Sequence, residues 1–131
     1  MRLLPPLIIT LTLLAPVYGA FGHNEFSDIT PVTVNTQGFS GLILDVRSAE
    51  EFAAGHVPGA TNIPHTELTA HLASVGATDQ PILVYCRSGR RADIALQALR
   101  DLGYSQLFHM DGDMLAWQQN GLPVVTGETA K

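Results

Sequence analysis

The sequence predicts an α/β fold in which a parallel sheet is covered by helices on both faces. Two apolar runs, LILDV at 42–46 and PILVYC at 81–86, show no alternation of polar and apolar residues, as expected of strands buried on both sides. Segments of strand length alternate with segments whose apolar residues recur at helical spacing, the order that builds parallel sheets. A chain of 131 residues that is 46% hydrophobic and 15% charged suits one such domain with a substantial core and is too short for two.

Residues 1–20 carry one cation at Arg2, an apolar run from 3 to 17 and then the small residues Gly19 and Ala20, the pattern of a secretory signal peptide. The run falls short of the roughly 20 apolar residues of a spanning helix and is broken by Pro5, Pro6 and Pro16, so cleavage after Gly19 or Ala20 is expected, with no membrane span afterwards. The mature chain, 21–131, is then expected in the periplasm or secreted.

Residues 23–41 are polar and weakly periodic, with Thr30 and Pro31 suited to cap and begin a short helix. The strand at 42–46 runs into Ser48-Ala49-Glu50-Glu51, a capping box in which serine and glutamate satisfy backbone N–H groups reciprocally. That helix should end near Gly55. Turn chemistry around Pro58 and Gly59 precedes a short strand at 60–63, broken at Pro64. Leu68, Leu72 and Val75 fall on one face of a helix stopped by Gly76. After the strand at 81–86, Ile94, Ala95, Ala98, Leu99 and Leu102 predict an amphipathic helix closed by Gly103. A strand at 106–110 and a helix bearing Leu115 and Trp117, ending near Gly121, complete the chain.

The formal net charge of −5, with Lys131 the only lysine, argues against a nucleic-acid surface, which needs a field of positive charge. Positive charge is used locally instead: Arg87, Arg90 and Arg91 follow directly on Cys86, the single cysteine. An exported protein usually pairs its cysteines, and a lone one is either a reactive thiol, an intermolecular link or an inert small hydrophobe. Three arginines beside it favour the reactive thiol, since a structural cysteine gains nothing from them.

Only a few residues separate the strand ending at Tyr85 from the helix starting near Arg91, so Cys86 should sit at the base of a tight loop with inward-pointing amides. Gly89 permits the backbone angles of an anion-binding nest facing a helix N-terminus. Amides and arginines together favour a sulfur anion and attract an anionic substrate to it. Ligands of parallel α/β sheets bind beyond the carboxyl ends of the strands, where Asp45, Arg47, Cys86 and Asp111 are all expected.

The stretches LILDVRSAEEFAAGHVPGATNIP, CRSGRRA and DGDMLAWQQNGLPV resemble, in that order, the three signature regions of a single-domain rhodanese, and the resemblance covers residues 29–124. It implies a rhodanese-like fold with a five-stranded parallel sheet, and sulfurtransferase chemistry. In that chemistry Cys86 is the nucleophile that takes a sulfane sulfur from thiosulfate or a persulfide donor. The amides of Arg87, Ser88, Gly89, Arg90 and Arg91 form the cradle, and a nucleophilic acceptor, cyanide or a thiol such as that of a thioredoxin-like protein, removes the sulfur. Arg91 is the arginine expected to face inward. The resemblance leaves open a persulfide carrier with protein partners and a non-catalytic binding module. Related dual-specificity phosphatases place five residues between cysteine and arginine, whereas Cys86 and Arg91 enclose four, which disfavours phosphate chemistry.

Asp45 and Arg47 either flank the pocket or tie the strand end to its neighbours, and the resemblance implies the second. His56 is expected to stabilise its turn by a hydrogen bond, and Trp117 to pack. Asp111-Gly112-Asp113 departs from the two consecutive glycines of the family; Asp113 is expected to cap the last helix and to bring a negative charge near the pocket. His65, His71 and His109 are assigned no role. The histidines and acids show no metal-ligand spacing, and no metal or cofactor is expected.

Overall fold

The central strand of the sheet, Ile82–Tyr85, is buried along its whole length, and its alternating side chains divide the core in two. Ile82 and Val84 point to one face, with Leu44 of the neighbouring strand and Val46 just beyond its end; Leu83 and Tyr85 point to the other. In this computed structural model, which describes residues 26–128, the strands are β1 (Ser27–Ile29), β2 (Leu42–Asp45), β3 (Thr61–Asn62), β4 (Ile82–Tyr85) and β5 (Leu107–Met110). All pair in parallel, in the order β1-β5-β4-β2-β3. The segment read as a signal peptide lies outside the described residues.

The helices are α1 (Pro31–Gln37), α2 (Ala49–Ala54), a 3₁₀ turn at Leu68–His71 leading into α3 (Leu72–Val75), α4 (Arg90–Asp101) and α5 (Asp113–Gln119). Val34 of α1, Phe52 of α2 and Met114 and Trp117 of α5 cover one face, with Leu83, Tyr85 and Met110 beneath them. Val75 of α3 and Ala92, Ala95, Leu96 and Leu99 of α4 cover the other. Each large side chain buried in these layers stabilises the fold by about 1.5–3 kcal/mol relative to leaving it in water. The fold class and the five-stranded parallel sheet are those expected. No helix among the described residues is long and apolar enough to cross a membrane.

Local rules set the element ends. Thr30 caps α1, accepting the Thr33 N–H at 3.2 Å, with Pro31 at the first position. Both halves of the capping box at Ser48 and Glu51 form.

The structure also corrects several expectations. β1 lies in the lead-in where no strand was expected; it is an edge strand with two of its three residues exposed, so no apolar pattern marks it. The helix expected over Leu68, Leu72 and Val75 is split into a 3₁₀ turn and one α-turn. Ile94 of α4 and Leu102, the residue that closes it, are 47% and 42% exposed. The buried stripe is rotated to include Ala92 and Leu96, because the tight loop before the helix turns that side onto β4 and β5.

Candidate active site

Cys86 follows directly on β4, so its position is fixed by the most buried strand in the sheet. Four residues, 86–89, carry the chain to Arg90, the first of α4. The turn requires Gly89 at φ 121°, a conformation that side chains resist. Its N–H reaches the Cys86 Sγ at 3.0 Å, so the sulfur sits against the N-terminus of a twelve-residue helix, where amide dipoles favour negative charge. The thiol is closed over, with Cys86 only 1% exposed, while Arg87, Ser88 and Arg90 form an exposed rim.

The loop is stitched to the start of α5. The Met114 N–H donates to the Cys86 carbonyl at 3.0 Å and the Leu115 N–H to the Arg87 carbonyl at 3.2 Å. In return, the Cys86 N–H donates to Asp113 Oδ1 at 2.9 Å. Asp113 therefore does not cap its helix as expected. Gly112 holds the cap position without a side-chain bond, and Asp113, buried and at φ 58°, aims its carboxylate at the cysteine loop. Asp is among the few residues that tolerate this left-handed geometry, which suits the glycine that the rhodanese pattern has here.

Arg91 reaches across to α2. Its guanidinium makes two hydrogen bonds to Glu51, Nη1–Oε1 at 2.6 Å and Nη2–Oε2 at 3.0 Å. The bond to Arg91 holds the Glu51 carboxyl well below its usual range, at about 2, against the opposing effect of burial. Pairing with Glu51 likewise raises Arg91, and negative charge at Cys86 adds to that effect. The arginine expected to face inward thus stands within the field of the sulfur but is engaged by a carboxylate.

Asp45 and Arg47 are buried together at the end of β2. Arg47 Nη2 donates to Asp45 Oδ2 at 2.6 Å and to the Gly55 carbonyl at 2.8 Å, and its guanidinium lies 5.6 Å from the centre of the Tyr85 ring. Asn62 adds bonds to the Asp45 and Arg47 carbonyls. The pair ties β2, β3 and α2 together. His56 lies against Phe52, its ring stacked at 3.6 Å and its Nδ1 2.8 Å from the Phe52 carbonyl oxygen, a bond that fixes the turn after α2. Trp117 is buried, donating its indole N–H to the Pro123 carbonyl at 2.8 Å.

Beside the loop opens a cleft of about 210 Å³ walled by Arg47, Glu51, Gly55, Arg87, Met114 and Gln118. Its size suits a small ion, and Arg87 brings positive charge from the cysteine loop to its wall.

His109, given no role from the sequence, lies beneath the loop. Its Nε2 is 3.0 Å from both oxygens of Asp113, and its Nδ1 is 3.3 Å from Asp28 Oδ1. Burial by itself would lower the His109 pKa, but hydrogen bonding and charge from Asp113, joined by Asp28, raise it above the usual histidine value. The available signal was an aspartate in place of a glycine, one helical turn after a histidine at a strand end.

The chain belongs to the rhodanese-like domain family: the family's model, described as "Rhodanese-like domain", matches residues 33–120. It is 32% identical over 100 residues to a thiosulfate sulfurtransferase, GlpE, of Shewanella oneidensis, a match covering 76% of this chain and 95% of the relative. It is 42% identical over 87 residues to the HTH-type transcriptional regulator Rv0324 of Mycobacterium tuberculosis, covering 65% of this chain but only 38% of that longer protein. Among solved structures, a rhodanese-related protein from Thermoplasma volcanium superposes with a TM-score of 0.68 at 27% identity, covering 76% of this chain and 98% of that one.

Proposed function

We propose that the protein is a sulfurtransferase that carries a sulfane sulfur on Cys86. In the first step the Cys86 thiolate attacks the outer sulfur of a donor such as thiosulfate. A new S–S bond forms, the donor's own S–S bond breaks, and sulfite leaves with the bonding pair, so that Cys86 becomes a persulfide anion. In the second step a nucleophile attacks the terminal sulfur, and the electrons of the S–S bond return to Cys86 as thiolate. Cyanide leaves as thiocyanate; a thiol, including that of a thioredoxin-like protein, leaves as a persulfide. Dividing the transfer in two through a covalent intermediate replaces one hard step with two easier ones.

The observation that carries this reading is the Gly89 N–H directed at the Cys86 sulfur from the start of α4. An N–H placed there stabilises negative charge on the cysteine sulfur at the moment of transfer. Arg87 and Arg90 on the rim attract anions, and the Arg91–Glu51 pair fixes the far side of the loop. The test is formation of thiocyanate from thiosulfate and cyanide. Turnover by the wild type, reduced to background in Cys86→Ser, supports the proposal; equal rates in the two proteins rule it out.

We further propose that this chemistry takes place outside the cytoplasm, supported by the composition of residues 1–20.

A further inference from the structure

Asp113 is a buried carboxylate placed where it should harm the site. A Cβ added at Gly89 would lie 3.2 Å from Asp113 Oδ2, so the carboxylate packs against the residue whose N–H reaches the sulfur. The same carboxylate holds the Cys86 N–H. An unbalanced negative charge at this distance opposes both a sulfur anion and an approaching anionic donor. His109 supplies the balance. It reaches Asp113 across the turn from β5 to α5, and its other nitrogen faces Asp28, its register partner on β1. With both ring nitrogens turned to carboxylates, the imidazolium, a donor at both, is the form that the geometry suits.

From this geometry we infer that Asp113 and His109 are a positioning pair that sets the charge beneath the Cys86 loop and so decides how readily an anionic reagent reaches the thiol. With His109 protonated, the pair is neutral and the rim arginines dominate. With His109 neutral, Asp113 stands as an unbalanced anion under the loop and repels the reagent. The charged groups that His109 meets are Asp28 from β1 and Asp113 from α5; Asp93 of α4, which accepts from Gln97, lines with it a cavity of about 180 Å³ also lined by Phe26, Gly89 and Leu96. The side chain is 15% exposed, and the cavity gives its ring access to solvent protons.

The inference rests on Cys86 being the thiol that meets the donor, but its test requires no sulfur transfer. The rates at which Cys86 is alkylated by iodoacetate, an anion, and by iodoacetamide, a neutral analogue, are measured at each pH. Both reagents need the thiolate, so their ratio isolates the local field. In the wild type the ratio is expected to fall about three- to tenfold as pH rises through the His109 titration. In His109→Gln it should be low and flat; in Asp113→Asn it should be higher throughout, and because His109 still titrates there beside Asp28, its fall should move to lower pH. His56, His65 and His71 are unchanged in both variants and serve as internal controls. A ratio independent of pH in the wild type, a fall that persists in His109→Gln, or a ratio in Asp113→Asn no higher than the wild type's at high pH overturns the inference. If Asp113→Asn does not fold, His109→Gln decides alone. Absence of thiocyanate formation with the ratio behaving as expected would count against the sulfurtransferase reading and leave the charge pair standing.

Discussion

Gly89 stands where three demands meet: a left-handed backbone turn, an N–H directed at the sulfur, and contact with the Asp113 carboxylate. Gly89→Ala should therefore strain the loop by about 1–3 kcal/mol, lower the denaturation midpoint, and slow sulfur uptake by more than the loss of stability explains. Equal uptake by the variant would show that the turn is not needed at the sulfur. Asp45 and Arg47 make a contrasting case. Both are buried, so removing one partner leaves an uncompensated charge, and Asp45→Ala should destabilise the fold by about 3–5 kcal/mol in urea denaturation. Replacing both with apolar residues of similar volume should cost less than the single change, which a double-variant comparison measures.

Between elements, the Arg91–Glu51 pair is the link from the cysteine loop to α2, and it predicts a pH dependence with a definite sign. The folded protein holds Glu51 at about 2, below its ordinary 4.5, so the pair stabilises above about pH 4.5 and that contribution is lost as pH falls toward 2. Because both side chains are about a third exposed, solvent screening limits the effect to about 1 kcal/mol. Glu51→Gln should lose that amount at neutral pH and match the wild type near pH 2, as read from denaturation midpoints along the series. On α4, Leu99→Ala should cost about 2–5 kcal/mol, while Ile94→Gln, at an exposed position, should change stability by no more than about 0.5 kcal/mol. The sequence alone places both residues on one apolar stripe. The rotation that separates them is set by the loop geometry before Arg90, which periodicity does not record.

Across the whole molecule, legibility in the sequence followed burial. β2 and β4 are covered on both faces and read directly as apolar runs, and the helices between them read from their caps and spacing. β1 was not legible, because an edge strand with one half-buried residue needs no apolar pattern and is defined by its partner β5. The cysteine loop was legible because its residues are contiguous. The Asp113–His109–Asp28 chain was not, since its members lie on a helix, a strand and a distant edge strand and meet only through sheet register. At this scale the proposal of export predicts that the full chain, produced in a bacterial host, is recovered from the periplasm beginning at Ala20 or Phe21. A protein retained in the cytoplasm and still beginning at Met1 contradicts it.

The most direct measurement is the intact mass of the protein after incubation with a sulfane donor, first thiosulfate and then an alkyl persulfide. The expected result is a gain of one sulfur atom, removed by cyanide and absent in Cys86→Ser. An unchanged mass after both donors, in protein whose Cys86 is shown to react with iodoacetamide, would contradict the assignment of this loop as a carrier of sulfur.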